Sequence, residues 1–387
     1  MPQVINLGHT MADKKAPGTR EKRGAQRNGK TAPLFAAVDL GTNNCRLLVA
    51  EPRGKTFRVV DSHSQIARLG EGLHETGRLS EAAIERAIDA LQNIRKKLKQ
   101  HGVGRVRCIA TEACRKAANG ADFIRRVHKE TGLTFKIIGA KEEARLATIG
   151  CHDLIEPNAA SVLVVDIGGG STELSWVDAR AARENGFKGL LERAPILDWT
   201  SLPLGVVTLS EAFAHLDEVE AYPLMLDHAR QTIASWPGIA AVREAMAESE
   251  AHMIGTSGTV TCLAGVHLKL DRYRRDKVDG TWLSQADGLA AIKLLRDVGM
   301  EGRMKLPTIG DERAGLMLSG CAIVDAVWEA CPTGRLRVAD RGLREGLLLS
   351  MMYGPKKPKP RRRGRRGRKP SQARAGAEDQ KGTQDGG

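Results

Sequence analysis

The stretch VVDIGGGSTE (164–173) runs from apolar residues into an aspartate, three glycines and two small hydroxylated residues. Its upstream part, SVLVVDI (161–167), has no charge before Asp166, which is the pattern of a buried strand. Thr172–Val177 (TELSWV) is expected to return as its hairpin partner. Between them, Gly168, Gly169, Gly170 and Ser171 present backbone N–H groups with almost no Cβ in the way, an anion nest suited to phosphate. The element after the turn is a strand rather than a helix. The turn is therefore neither the G-x-G-x-x-G fingerprint nor the G-x-x-x-x-G-K-[ST] loop.

The same arrangement occurs once before. AAVDLGTNNCRLLVA (36–50) places Asp39 two residues ahead of Gly41, follows it with the turn Gly41-Thr42-Asn43-Asn44, and continues as a strand, Cys45–Ala50. A repeated strand, Asp-x-Gly, turn and strand implies two similar domains facing each other, whose two nests could hold successive phosphates of one chain or one nucleotide tail. Asp39 and Asp166 both end apolar strands. A carboxylate there is costly unless a metal, a donor or a substrate meets it. Across the hairpin, Glu173 can converge with Asp166, and hard carboxylate oxygens beside phosphate suit Mg²⁺.

The rest of the core alternates helix and strand patterns, which gives an α/β fold. Thr56–Gln65, Arg105–Ala110 and Phe135–Ile138 read as strands. Ser80 opens a helix with Ile84, Ile88, Leu91, Ile94 and Leu98 at helical spacing. Further helices are expected near Asp122–Thr131 and Glu142–Asp153, the latter opening on Glu142-Glu143-Ala144-Arg145. Paired acids at a helix start ordinarily complement the helix dipole. A third Gly/hydroxyl loop, Gly255-Thr256-Ser257-Gly258-Thr259, precedes a helix at Val260–Leu268.

Composition narrows the function classes. Hydrophobic residues make up 41% of the 387, enough to bury a core, and no apolar run reaches the length of a membrane span. Seven cysteines without a C-x-x-C argue against a disulfide framework or a zinc ribbon and fit a reduced cytoplasm. The net charge of +14 suggests a polyanion binder until it is located. Residues 1–30 hold seven basic and two acidic residues, and 356–370 (KKPKPRRRGRRGRKP) hold ten basic residues and no acid. Residues 31–355 carry 41 of each sign and are neutral. Segments 1–32 and 354–387 are expected to be disordered basic extensions. The basic run has no aromatic residue to stack on bases, which disfavours specific RNA readout and leaves nonspecific contact with polyphosphate or RNA.

Six segments taken together resemble the exopolyphosphatase / guanosine pentaphosphate phosphohydrolase family of the actin–Hsp70–sugar kinase superfamily. They are the two loop segments, IATEACRKA (109–117), KEEARLATIG (141–150), GTSGTVTCL (255–263) and VADRGLREGLLL (338–349). The resemblance covers about 33–353. It implies two actin-like (ribonuclease H-like) domains with a cleft between them, 33–142 completed by 334–353 and 143–333, in the short two-domain form. It also implies Mg²⁺-dependent hydrolysis of a terminal phosphoanhydride of polyphosphate. By motif position, Glu143 is the base that activates water and Arg115 the phosphate-clamping arginine. Gly41 to Asn44 and Gly168 to Ser171 are the phosphate loops, and Asp166, Glu173 and Asp39 the Mg²⁺ ligands. A homodimer is the expected assembly.

The first loop departs from the family's usual Asp-x-Gly-Ser-Asn-Ser. Thr42 keeps the hydroxyl, Asn44 changes the size, and Arg46 adds a charge. Guanosine pentaphosphate is the alternative substrate on this scaffold. An actin-like ATPase or sugar kinase, and a non-catalytic polyanion binder, are the competing classes. The EEAR and ATEACR segments weigh against the kinase, and Glu143, Arg115, Asp166 and Glu173 against loss of activity.

Overall fold

The computed structural model describes residues 32–248 and 250–355. The two basic extensions lie outside the described residues, apart from their innermost positions. The first sheet contains β1 (Phe35–Leu40), β2 (Asn44–Arg53), β3 (Thr56–Ile66), β4 (Arg105–Ala110) and β5 (Phe135–Ile137), in the order β3-β2-β1-β4-β5. The second contains β6 (Ser161–Ile167), β7 (Thr172–Asp178), β8 (Ile196–Leu202), β9 (Ala251–Thr256), β10 (Trp282–Ser284) and β11 (Arg335–Ala339), in the order β10-β11-β9-β6-β7-β8. Leaving out β10, the two orders coincide. Each is an antiparallel three-strand meander extended on the other side of its first strand by parallel strands. The internal repeat read from two Asp-x-Gly turns is thus a repeat of whole sheets, in the ribonuclease H-like order.

β1 and β6 are the centres of their sheets, which explains why both are apolar on both faces. In β1, Ala36 and Val38 point to the helix Glu81–Gln100, whose Ile84, Ile88, Leu91, Ile94 and Leu98 are buried against them. Ser80 caps this helix through a bond from the Ala83 amide at 3.2 Å. Phe35 and Ala37 point the other way, onto Leu146 and Leu347 of the helices Ala140–Gly150 and Leu343–Tyr353. These two helices cross at glycines. A Cβ on Gly150 would lie 1.9 Å from the Gly342 carbonyl oxygen, and one on Gly346 would lie 1.9 Å from that of Leu146.

Two expected boundaries fall differently. The strand near 338 pairs with β9 and β10 in the second sheet, and only Leu343–Tyr353 returns to pack on β1 and β2. The helix expected at Glu142–Asp153 begins at Ala140 and ends at Gly150, so a border at 142/143 would cut it. No helix among the described residues is long and apolar enough to cross a membrane.

One core residue sets a pH limit. His252 in β9 is fully buried, with its ring 5.3 Å from that of Trp282. Burial lowers its pKa from 6.5 to about 4. The folded protein holds it neutral, and the unfolded chain takes up a proton. Its contribution is therefore complete above about 6.5 and is lost as pH falls through about 4. Denaturation of wild type and His252→Leu at several pH values should show wild type losing up to about 3 kcal/mol more than the variant across that window. Parallel losses in the two proteins would contradict this reading.

Candidate active site

The two Gly-containing turns share a hydrogen-bond plan. In the first, the Gly41 amide donates to the Asn44 carbonyl at 3.0 Å; in the second, the Gly168 amide donates to the Ser171 carbonyl at 2.8 Å. The carbonyls of each turn are then pinned from behind. Thr42 and Asn43 accept from the amides of Ala67, Arg68 and Gly70, while Gly168 and Gly169 accept from Val206 and Val207. No backbone acceptor among the described residues engages the amides of Thr42, Asn43, Gly169 or Gly170. That leaves N–H groups available to an anion. The turns also touch. A Cβ on Gly169 would lie 3.0 Å from Thr42 Cβ, and one on Gly170 would lie 3.1 Å from both Thr42 Oγ1 and Glu112 Cγ. A side chain at either position would press on Thr42, which would have to give by a few tenths of an ångström.

Both turns line a cavity of about 480 Å³ between the sheets, together with Asp39, Asp166, Glu143, Glu112 and the loop Thr256–Thr259. That loop enters the helix Gly258–His267, capped by Ser257 through the Val260 amide at 3.1 Å. The paired acids of the EEAR segment separate. Glu142 forms an ion pair with Arg145 at 2.7 Å. Glu143 is buried, lines the cavity and accepts from Arg115 at 3.0 Å. Burial, then the nearby Glu173 charge, hold the Glu143 pKa well above the usual carboxylate range, with Arg115 offsetting part of this.

Arg115 does not line the cavity. Its guanidinium is committed to Glu143, to Glu112 and to the Ile138 carbonyl at 2.8 Å. Burial lowers its pKa, but Glu143 and Glu112 outweigh this and the net direction is up. The arginines facing the cavity are others. Arg275 is paired with Glu345 at 3.1 Å, and Arg341 with Asp279. Arg46, Arg313 and Arg344 also face it and make no ion pair among the described residues. Burial and then Arg344 lower the Arg46 pKa. Like charges gathered in a cavity are the mark of an anion site.

Asp166 and Glu173 stand directly opposite each other in the β6–β7 ladder, as the hairpin reading expects. Only Asp166 reaches the cavity. Glu173 is buried, and its Oε1 accepts from Ser171 at 2.8 Å and Ser201 at 2.6 Å. Asp39 is buried with Oδ1 unpartnered, and burial raises its pKa. Burial, followed by Glu173, raises Asp166 to about 8. Two carboxylates under such strain fit a hard cation. Among the described residues no group of three His, Cys, Asp or Glu could cage a metal. This suits an ion that takes one or two carboxylates and completes its shell with substrate phosphates and water.

The sequence reading missed Glu112, Arg313 and Tyr273 as cavity residues. Glu112 lay in a motif segment, but Arg313 and Tyr273 sit in stretches with no local signature. The cysteines are all buried and unpaired. Burial pushes Cys114 up to about 12, away from thiolate chemistry.

The profile of the Ppx/GppA phosphatase family matches residues 48–354. The crystal structure of the Aquifex aeolicus member of that family is similar to this chain at 30% identity and a TM-score of 0.66, covering 82% of this chain and 97% of that one. An exopolyphosphatase from Cytophaga hutchinsonii is similar in fold, with a TM-score of 0.73 at 24% identity over 84% of this chain and 99% of that one.

Proposed function

Since the chain belongs to the Ppx/GppA phosphatase family, whose members are phosphohydrolases, we propose that it is an exopolyphosphatase releasing orthophosphate from the ends of inorganic polyphosphate. The observation that carries this reading is Glu143: a buried carboxylate of raised pKa, facing a cavity lined by two amide-rich turns and three arginines that make no ion pair among the described residues.

The chain's own groups divide the work. The amides of Thr42, Asn43, Gly169 and Gly170 and the side chains of Arg46, Arg313 and Arg344 hold the terminal phosphates. Glu143 takes a proton from water as the water oxygen bonds to the terminal phosphorus. The bridging P–O bond breaks, orthophosphate leaves, and the shortened chain keeps the bridging oxygen. Arg115 is a positioning residue, holding Glu143 from behind. Glu173 holds Ser171 and so braces the second turn. Asp39 and Asp166 would hold Mg²⁺, which when bound neutralises charge on the phosphoryl oxygens.

The test is phosphate release from polyphosphate and from guanosine pentaphosphate, side by side, with and without Mg²⁺. Faster release from polyphosphate, dependent on Mg²⁺, is expected. Release from guanosine pentaphosphate alone would replace the substrate, and release from neither would remove the activity. The basic run 356–370 lies outside the described residues and is proposed to tether long chains. Removing 354–387 should raise KM for long polyphosphate at low salt and leave short substrates unchanged. An unchanged KM for long chains would take that role from it.

A further inference from the structure

A second cavity, of about 380 Å³, shares no lining residue with the cleft. Its walls come from the edge of the first sheet and from helical segments beyond it. Lys55 is in the β2–β3 turn and Thr56 opens β3, His152 and Asp153 follow the helix Ala140–Gly150, and Arg183 and Phe187 belong to the helix Ala179–Glu192. The proposed hydrolysis uses none of these residues.

The sequence builds this cavity with one glycine. Gly186 sits inside Ala179–Glu192 at φ 61° and ψ −177°, a conformation essentially closed to other residues. The helix breaks there, and the next residue, Phe187, lies with its ring 5.1 Å from that of His152 and 5.8 Å, edge-on, from that of Tyr353. The Tyr353 hydroxyl donates to the Thr56 carbonyl, so the aromatic wall is tied to the first sheet as well. Ile155, Ala182 and Leu190 complete an apolar lining.

The charges at this cavity are unevenly satisfied. Asp153 is engaged by His152 at 2.9 Å and by Arg341 at 3.6 Å, and its pKa is lowered, chiefly by the His152 bond. Lys55 and Arg183 are exposed and have no carboxylate partner among the described residues; Arg183 donates to the Ala159 carbonyl at 2.6 Å. The cavity thus offers an aromatic wall, an apolar lining and a cationic rim. Its volume falls at the small-molecule end of ligand sites, roughly 300–1,000 Å³. A ligand matching all three features is a flat heterocycle that carries an anionic group.

We propose that this cavity binds a nucleoside monophosphate, with its base against Phe187 and its phosphate at Lys55 and Arg183. The ring supplies stacking area, and the two cations supply charge-assisted hydrogen bonds. The proposal does not depend on the reaction in the cleft.

Calorimetric titration of the full-length protein with AMP tests it, with adenosine and ribose 5-phosphate as half-ligands. Saturable one-to-one binding of AMP is expected, with both half-ligands weaker. Lys55→Ala with Arg183→Ala should weaken AMP by about tenfold or more. Both side chains are exposed, and the one side-chain hydrogen bond they make among the described residues, from Arg183 to the Ala159 carbonyl, is checked by comparing the thermal unfolding of the variant with that of wild type. Phe187→Leu, which keeps an apolar filler without the ring, should weaken it several-fold, and the cleft variant Arg46→Ala should leave it unchanged. Absence of saturable binding at millimolar AMP would overturn the proposal. So would AMP binding that is lost in Arg46→Ala and indifferent to Lys55 and Arg183, because that places the nucleotide in the cleft.

Discussion

Glu143→Gln should lower kcat for phosphate release by about 10²–10⁴-fold, the usual contribution of a positioned general base, with KM little changed. The amide keeps the size of the side chain and an oxygen that can accept from Arg115, so the packing behind it is preserved. What disappears is the proton acceptor. The pH profile gives a second readout. Burial first, and then Glu173, raise the Glu143 pKa, and the base works only when ionised. Wild-type activity should therefore rise with pH as Glu143 deprotonates, at a pH above the ordinary carboxylate range, and the residual activity of the variant should lack that limb. Full hydrolysis by Glu143→Gln would sink the mechanism.

Asp166→Asn should remove the response to Mg²⁺ and lower kcat by on the order of 10²-fold or more, while the protein in chelator becomes more stable. The two effects have one cause. Asp166 lies deep in the cleft with a part-exposed edge, and burial followed by Glu173 raises its pKa to about 8. An acid of raised pKa favours the fold in its protonated form. Its contribution is complete below the ordinary carboxylate range and is lost as pH rises through about 8. Without a cation, wild type should thus lose stability toward alkaline pH, and Asp166→Asn should lose less. Thermal unfolding in chelator across that range and a Mg²⁺ titration of the rate are the measurements. A variant with the wild-type Mg²⁺ dependence and rate would take Asp166 out of the cation site.

Local motifs were legible because their chemistry is local. An Asp-x-Gly turn between two apolar strands specifies its own hydrogen bonds, and the Gly41–Asn44 and Gly168–Ser171 bonds form within four residues. Strand polarity was equally plain, since β1 and β6 are apolar on both faces only because both lie at sheet centres. Direction was not legible. Arg115 and Arg46 both sit in motif segments, but only the fold turns Arg46 toward the cavity and Arg115 onto Glu143 and Glu112. Asp166 and Glu173 converge as their hairpin demands, but two serine hydroxyls from separate segments claim Glu173. Arg313 comes from a long helix, Asp311–Ala330, whose cavity contact depends on packing that no local pattern encodes.

The contact of Thr42 with Gly169 and Gly170 has a consequence for which bond is cut. Thr42 abuts Gly169 and Gly170 where the two turns meet, so phosphates held on these turns would lie where the sheets come together. A chain held there would, on the proposed reaction, present its last unit to Glu143, since an interior linkage would have to continue between the abutting turns. On the proposed reaction, the choice of terminus over middle is therefore made by the architecture and requires no group that recognises a chain end. Exolytic action would follow from geometry, in the way a drill stop fixes the depth of a hole.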